Sequence, residues 1–315
     1  MNTSFCYYGA PMATPSKVID TKQNDGRSVG PWKLNEVHNI DALSGLSLIP
    51  SDSLDLVITS PPYWGQRESK GIGCEQDPRE FIANLVEILA ESLRCLKPSG
   101  TLWLNIGDSY NTPINWRETD HRYSSLGAEG TGLDPENQAY TKKRAKRLPF
   151  LKKDVGWLKY GNLLDIPHRT LIGLTDRGFL YRGEVIWEKA RPLPEGLCRR
   201  PHRRHEGIYI LAKSEGHTFR TKPPVGSVWR LKQTPNQLGH CSTFPLDLPI
   251  ECIKASGLEV RGIVCDPFMG SGTSGRAAQN LGHDFVGFEI DPDHCALANE
   301  VLSHDFQSRL PLIDF

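Results

Sequence analysis

Apolar positions along the chain follow two rhythms. Leu54, Leu56, Val57 and Ile58 in "SLDLVITS", and Leu102 to Ile106 in "TLWLNIG", form nearly continuous runs, the pattern of strands in a sheet covered on both faces. Between them, Phe81, Ile82, Leu85, Ile88, Leu89, Leu93 and Leu96 recur at helical spacing after Pro78. Pro98 and Gly100 are expected to stop that helix. Strand, helix, strand in this order predicts a βαβ unit and a parallel sheet. Residues 36–47 read as a short strand and a turn. Farther along, "LLDIPHRTLIGLTDRGF" predicts a helix, and "LYRGEVIWEKA" and "EGIYILAKS" predict strands. Toward the C-terminus, "TFPLDLPIECIKASG" reads as a capped helix and "GIVCDPFMGSGTSGRAAQNLG" as strand, Gly-rich turn and helix. "DFVGFEIDPDHCALANEVL" then reads as a strand ending in acids, followed by a helix.

The rhythm is absent in three places. Residues 1–30 read as a loose, flexible polar tail, leaving 31–315 as the folded unit. Residues 108–162 mix polar, Gly and aromatic positions without a clean period, and long irregular insertions in compact domains are usually functional or disordered. A basic cluster lies inside, with Lys142, Lys143, Arg144, Lys146 and Arg147 followed by Phe150, Trp157 and Tyr160. A second basic cluster, Arg199, Arg200, Arg203 and Arg204, falls in a stretch of about 190–240.

Composition adds exclusions. Over 315 residues, 37 Lys and Arg balance 37 Asp and Glu, so a nucleic-acid partner must be argued from patches and not from net charge. Hydrophobic content of 38% and charged content of 23% are ordinary globular values. No apolar run approaches the length of a membrane span, and no basic-then-apolar leader opens the sequence, so a cytoplasmic location is expected. The eight cysteines include no CxxC pair, which gives a zinc ribbon or redox dithiol no support, and no metal is expected. They read as reduced thiols, several of them in the core.

The Gly-rich turn "VCDPFMGSGTSG" carries the first chemistry. A strand ends at Asp266 and a helix is expected near Ser274, and Gly270 and Gly272 let the backbone approach a ligand closely. Glu289 closes the next strand, where a carboxylate suits the two hydroxyls of a ribose. Gly270 and Gly275 have P-loop spacing, but Arg276 and Ala277 stand where the phosphate lysine and magnesium hydroxyl belong, so an ATPase reading fails. Asp266 beside the turn suits a positively charged nucleoside ligand, and S-adenosylmethionine carries both an amine and a sulfonium.

The second piece is "DLVITSPPYW". At the carboxyl end of a parallel strand, residues face the ligand crevice. Pro61 and Pro62 fix the backbone there and hold neighbouring carbonyls rigidly. The Ser60 hydroxyl and the Pro61 carbonyl can both accept from one amino group, and Tyr63, with Trp64 beside it, can stack on a flat ring. That is a pocket for an exocyclic amine.

Together, "TSPPYW" and "DPFMGSGTSG" resemble the amino-methyltransferases of DNA, which carry an (S/D/N)-P-P-(Y/F/W) catalytic motif and an FxGxG cofactor motif. Phe268-Met269-Gly270-Ser271-Gly272 matches FxGxG. The catalytic motif precedes the cofactor motif, the order of the β group, and the resemblance spans about residues 36–303. It implies an α/β, Rossmann-like class I S-adenosylmethionine-dependent fold with a seven-stranded, mostly parallel sheet and one antiparallel strand at the edge. It implies Ser60, Pro61, Pro62 and Tyr63 as catalytic residues. Asp266, Phe268, Gly270 and Gly272 would line the methionine end of the cofactor, with Ser271 and Thr273 close by. Glu289 would hold the ribose, Asp41 the adenine amine, and Thr243-Phe244-Pro245 would close over the ligand.

Such enzymes flip the target nucleotide out of the duplex and transfer the methyl directly, without a covalent enzyme intermediate. Cytosine C5 chemistry is removed, because no cysteine here follows a proline. Ser60 favours cytosine N4 among related enzymes; adenine N6 stays open, since the two amines differ little physically. An RNA methyltransferase or an inactive DNA-binding relative are the remaining alternatives, and both motifs are intact. The two basic clusters are the candidate phosphate contacts of double-stranded DNA. A modification enzyme with a cognate restriction endonuclease and a solitary methylase share all these features, so both remain open.

Overall fold

The computed structural model describes residues 26–65, 71–111, 156–159, 161–189, 200–231 and 244–303. In chain order the strands are β1 (Ser28–Val29), β2 (Trp32–Lys33), β3 (Glu36–Asn39), β4 (Leu54–Thr59), β5 (Leu96–Ile106), β6 (Leu180–Glu188), β7 (His205–Ala212), β8 (Val228–Trp229), β9 (Ile263–Asp266) and β10 (Asp284–Glu289). The helices are α1 (Ala42–Ser47), α2 (Pro78–Cys95), α3 (Ile166–Asp176), α4 (Asp247–Ser256), α5 (Thr273–Asn280) and α6 (Pro292–Ser303).

The main sheet has the order β3-β10-β9-β4-β5-β7-β6-β8. Its first five strands are mutually parallel, as the βαβ pattern predicts. Seven of the strands have four or more residues, and the two-residue β8 adds an eighth beside β6. One strand, β7, runs against its neighbours, but it lies between β5 and β6 and not at the edge. The near-continuous apolar strands are explained by cover on both faces. In β4, Leu54 and Val57 enter one core cluster, with Phe81, Leu85 and Leu89 of α2. Leu56 and Ile58 enter the other, with Trp103, Val264 and Phe285. The buried cysteines Cys95, Cys252, Cys265 and Cys295 are core thiols.

Four local expectations need correction. The tail ends before residue 30: Ser28–Val29 pairs with Trp32–Lys33, Val29 is buried, and Arg27 forms an ion pair with the buried Asp284. The turn expected after β3 is a short helix, capped where the Asp41 carboxylate accepts from Ser44 N at 3.0 Å. Helix α2 passes straight into β5 at Leu96, and Pro98 and Gly100 fall at a register shift between the Leu54 and Leu56 pairings of β4 with β5. The stretch of about 190–240 holds, besides the predicted strand β7, the unpredicted two-residue β8, and Trp229 and Phe219 stack on the buried Trp103 at 6.1 and 6.2 Å.

Candidate active site

All the motif residues sit along one edge. The carboxyl ends of β3, β10, β9, β4 and β5 lie side by side, which brings Asp41, Glu289, Asp266, Ser60 and Asn105 to one end of the sheet.

The glycine turn is held by two buried acids. Asp266 is 2% exposed, and its carboxylate accepts from Thr59 Oγ1 at 2.6 Å, from Phe268 N at 2.9 Å and from the Ser274 hydroxyl. Burial pushes its carboxyl up to about 6, against the pull of these hydrogen bonds. Glu289 is 3% exposed and accepts from Gly270 N and from Asp291 N, each at 2.9 Å. Gly270 and Gly272 both take positive φ, at 55° and 87°. A Cβ at Gly270 would meet nothing closer than 4.0 Å, so conformation, not crowding, demands glycine there. Ser271 is buried in the turn, and Thr273 is the first residue of α5.

Beside the turn lies a cleft of about 500 Å³, within the range of small-molecule and cofactor sites. Phe268, Phe288, Ile290 and Pro62 supply its apolar walls, and Asp41, Glu75, Glu87 and Glu289 its carboxylates. Burial opposes ionisation of Asp41, yet the hydrogen bonds from Ser44 hold its carboxyl below the ordinary range. An apolar slot with acids on its walls fits a nucleoside that carries positive charge. Glu75 is itself fixed, accepting from Gly73 N at 2.8 Å and from Asn84 Nδ2 at 3.0 Å.

The cleft thus gathers Asp41, Phe268, Glu289 and Pro62 from the expected residues. Asp266, Gly270, Ser271, Gly272 and Thr273 are not among the residues that line it. Asp266, read in the sequence as a ligand-facing acid, turns inward, because Thr59 and Ser274 offer it hydroxyls inside the turn. Phe244 packs half-buried against the core cluster of Ile58 and Trp103. Thr243 lies outside the described residues.

The Ser-Pro-Pro-Tyr segment follows β4 without a break. Pro61 is buried, while Ser60, Pro62 and Tyr63 are half-buried. Ser60 Oγ donates to Asn105 Oδ1 at 3.2 Å. The Asn105 amide nitrogen donates to the Gly207 carbonyl at 3.1 Å and lies 3.5 Å from Glu206 Oε2. The Tyr63 hydroxyl donates to that same carboxylate oxygen at 3.0 Å. Lys189 pairs with the other oxygen of Glu206. Burial, with the adjoining Glu206 charge, holds the Tyr63 phenol well above its ordinary range. Trp64, expected to help stack a base, is 5% exposed in the core, and its indole donates to the Glu75 carbonyl at 2.8 Å. It therefore ties the motif to the cleft wall and offers no face to a base.

Of the basic residues, Lys142, Lys143, Arg144, Lys146, Arg147 and Arg199 lie outside the described residues. Arg200 stacks over the Tyr110 ring at 4.0 Å, and Arg203 donates to the Asp108 carbonyl. Arg204 is exposed. Arg200 and Arg203 both stand over Tyr110, shortly past the end of β5, and Arg203 is near enough to Tyr63 to act on it electrostatically. Asn105, Glu206 and Lys189 were not anticipated. Asn105 alone left a trace, as a polar residue inside the apolar run "TLWLNIG".

Comparison with known proteins bears on the family and the fold. The family model described as DNA methylase matches residues 54–300. The Type II methyltransferase M.XycI of Xanthomonas campestris pv. cyanopsidis is 36% identical, with 83% of this chain and 85% of that protein covered. The Type II methyltransferase M.SmaI of Serratia marcescens is 32% identical, with 82% and 88% covered. Among solved structures, the cytosine-N4-specific PvuII DNA methyltransferase superposes with a TM-score of 0.61 at 19% identity, covering 86% of this chain and 88% of that one. The complex of M1.HpyAVI with SAM superposes with a TM-score of 0.52 at 20% identity, covering 85% and 99%.

Proposed function

The chain belongs to the DNA methylase family, and from that premise we propose that it methylates the N4 amine of cytosine in double-stranded DNA, using S-adenosylmethionine. The observation that carries this reading is the arrangement of Ser60. Its hydroxyl proton is directed to Asn105 at 3.2 Å, which leaves the oxygen's lone pairs for an incoming amine. Ser60 is two residues from Pro62, a wall of the cofactor cleft.

When bound, S-adenosylmethionine supplies a methyl on a positively charged sulfur. Glu289 and Asp41 are the groups that would hold its nucleoside, with Phe268 and Ile290 as apolar cover. The flipped base would stack on Tyr63, offsetting part of the few kcal/mol that unstacking costs. Ser60 and the Pro61 carbonyl would accept the two amine hydrogens and turn the nitrogen lone pair toward the methyl. Catalysis is then largely positioning, with no covalent enzyme intermediate. Asp41, Phe268, Gly270, Ser271, Gly272, Thr273 and Glu289 form the cofactor half of the site, with Asp266 as its internal brace and Phe244 farther off. Arg200, Arg203 and Arg204, with the basic cluster at 142–147, would contact phosphates.

The nearest rival is adenine N6, which the same geometry accommodates. The chain's likeness to Type II methyltransferases over more than four-fifths of its length makes a cognate restriction endonuclease the partner to look for. The deciding experiment supplies labelled S-adenosylmethionine and unmethylated duplex DNA, then digests the DNA to nucleosides. Label in N4-methylcytosine is the expected result. Label in N6-methyladenine keeps the enzyme class and overturns the choice of base. No label, with cofactor still bound, overturns DNA as the substrate.

A further inference from the structure

Strand β7 runs against its parallel neighbours, so its first residues arrive where theirs end. Ile106, the last residue of β5, pairs with Gly207, which brings Glu206 beside the Ser60–Tyr63 segment. The Glu206 side chain is only 13% exposed, so its charge needs partners. Lys189, just past β6, supplies one, and its nitrogen also sits 5.4 Å from the Trp187 ring. The Tyr63 hydroxyl and the Asn105 amide converge on the remaining oxygen. A glycine makes the approach possible: a Cβ at Gly107 would lie 2.6 Å from the Tyr63 ring.

We infer that Glu206 is a positioning residue for methyl transfer, whose Lys189-paired carboxylate fixes the Tyr63 ring and the Asn105 amide together. The inference rests on reading Ser60–Tyr63 as the transfer site. One carboxylate oxygen then sets two things a base must meet. The first is the stacking plane of Tyr63. The second is the acceptor direction of Ser60. With its nitrogen turned to Glu206 and the Gly207 carbonyl, Asn105 presents its oxygen to the Ser60 hydroxyl. The carboxylate also enriches the Tyr63 ring face. Transfer would leave the target amine positively charged, the methyl–sulfur bond breaking as the methyl–nitrogen bond forms, until one proton passes to water. An electron-rich ring beside that charge favours the transfer.

The test uses the full chain with S-adenosylmethionine and unmethylated duplex DNA of mixed sequence, comparing Glu206→Gln, Tyr63→Phe and the double variant. Glu206→Gln should lower the transfer rate at saturating DNA by about 10- to 100-fold while cofactor affinity stays within about twofold. Tyr63→Phe should lose a similar amount. The double variant should be no more than about threefold slower than the worse single one, because both remove the same bond. Penalties that multiply, or a Glu206→Gln rate within twofold of wild type, would overturn the inference. A second readout needs no turnover. With tyrosine labelled at Cζ, the Tyr63 carbon resonance, assigned from Tyr63→Phe, should shift in Glu206→Gln, and an unmoved resonance sinks the idea. If the wild-type protein methylates no DNA, the proposed function fails, and the resonance still decides the role of Glu206.

Discussion

The glycine turn and the Ser-Pro-Pro-Tyr segment do neighbouring work on one sheet edge, but they are built differently. The turn is mostly a local construction. Asp266 is bonded to residues two and eight positions away, and Gly270 to a residue nineteen away. The catalytic segment is assembled from afar. Ser60 reaches a partner 45 residues distant, and Tyr63 one 143 residues distant. Among the described residues, the most distant hydrogen bond of the turn, Thr59 to Asp266, is also its link to the catalytic strand. A local construction shows itself whole in a sequence window. An assembled one shows only the end that carries the motif.

The two regions should fail in different currencies, and Ser60 gives the widest separation. In Ser60→Ala the acceptor for the target amine is gone, while every cleft residue is untouched. Methyl transfer should fall about 10²- to 10³-fold, the usual range for removing one group aimed at the reacting atoms. Cofactor affinity, measured by calorimetry, should stay within about twofold. A comparable loss of cofactor affinity would mean that the segment and the cleft are one unit, and the comparison would collapse.

The same contrast explains what could be read in the sequence. Strands β4, β5, β9 and β10 and helix α2 were legible because burial on both faces, or on one helical stripe, imposes a local period. The turn and Glu289 were legible because a parallel βαβ unit fixes their spacing. Glu206 and Lys189 were not, because strand pairing alone brings them to Tyr63. Nothing near 189 or 206 in the chain announces a site at 60. Helix α1 was missed because Ser44, Gly45 and Ser47 are poor helix formers, and its Asp41 cap and buried Leu46 hold it by context. Trp64 and Asp266 were misplaced for a shared reason. Residue type advertised a ligand contact, whereas a backbone carbonyl and two buried hydroxyls claimed these side chains first.

Asp266 makes the turn's inwardness measurable. Its folded carboxyl titrates near 6, above the ordinary value of 3.8, so ionising it opposes folding. Its contribution to stability is therefore full below about pH 4 and is lost as pH rises through about 6. The loss amounts to about 3 kcal/mol. Urea unfolding at pH 4.5, 5.5 and 7 should show the gap between wild type and Asp266→Asn shifting in the variant's favour as pH rises. A gap that ignores pH would place Asp266 in contact with solvent or ligand, and the turn would no longer be self-contained.

Glu289 tests the cleft from the other side. Its two oxygens hold the amides of Gly270 and Asp291, and Glu289→Gln can keep only one of these acceptors. Losing a charge-assisted bond of this kind should weaken cofactor binding by roughly tenfold or a little more. Transfer at saturating cofactor should change less than threefold. If transfer falls as far as binding, the cleft and the catalytic segment cannot be separated by Pro62 alone.

The smallest expected effect probes the assembled region at its tightest point. Gly107 lies one residue past β5, and a Cβ there would come within 2.6 Å of Cε2 of the Tyr63 ring. The ring cannot give way freely, because its hydroxyl is held by Glu206 at 3.0 Å. Gly107→Ala should therefore tilt the stacking face without touching Ser60, Asn105 or the cleft. Transfer should slow by roughly three- to tenfold, as small displacements of a positioned group do. Cofactor affinity should not move. The loss should shrink when Tyr63→Phe frees the ring from Glu206, because a ring without its tether can step back from the new methyl. A loss that persists unchanged in that background would show that Gly107 acts on the backbone of β5 itself, and that the tether to β7 is not what holds the ring.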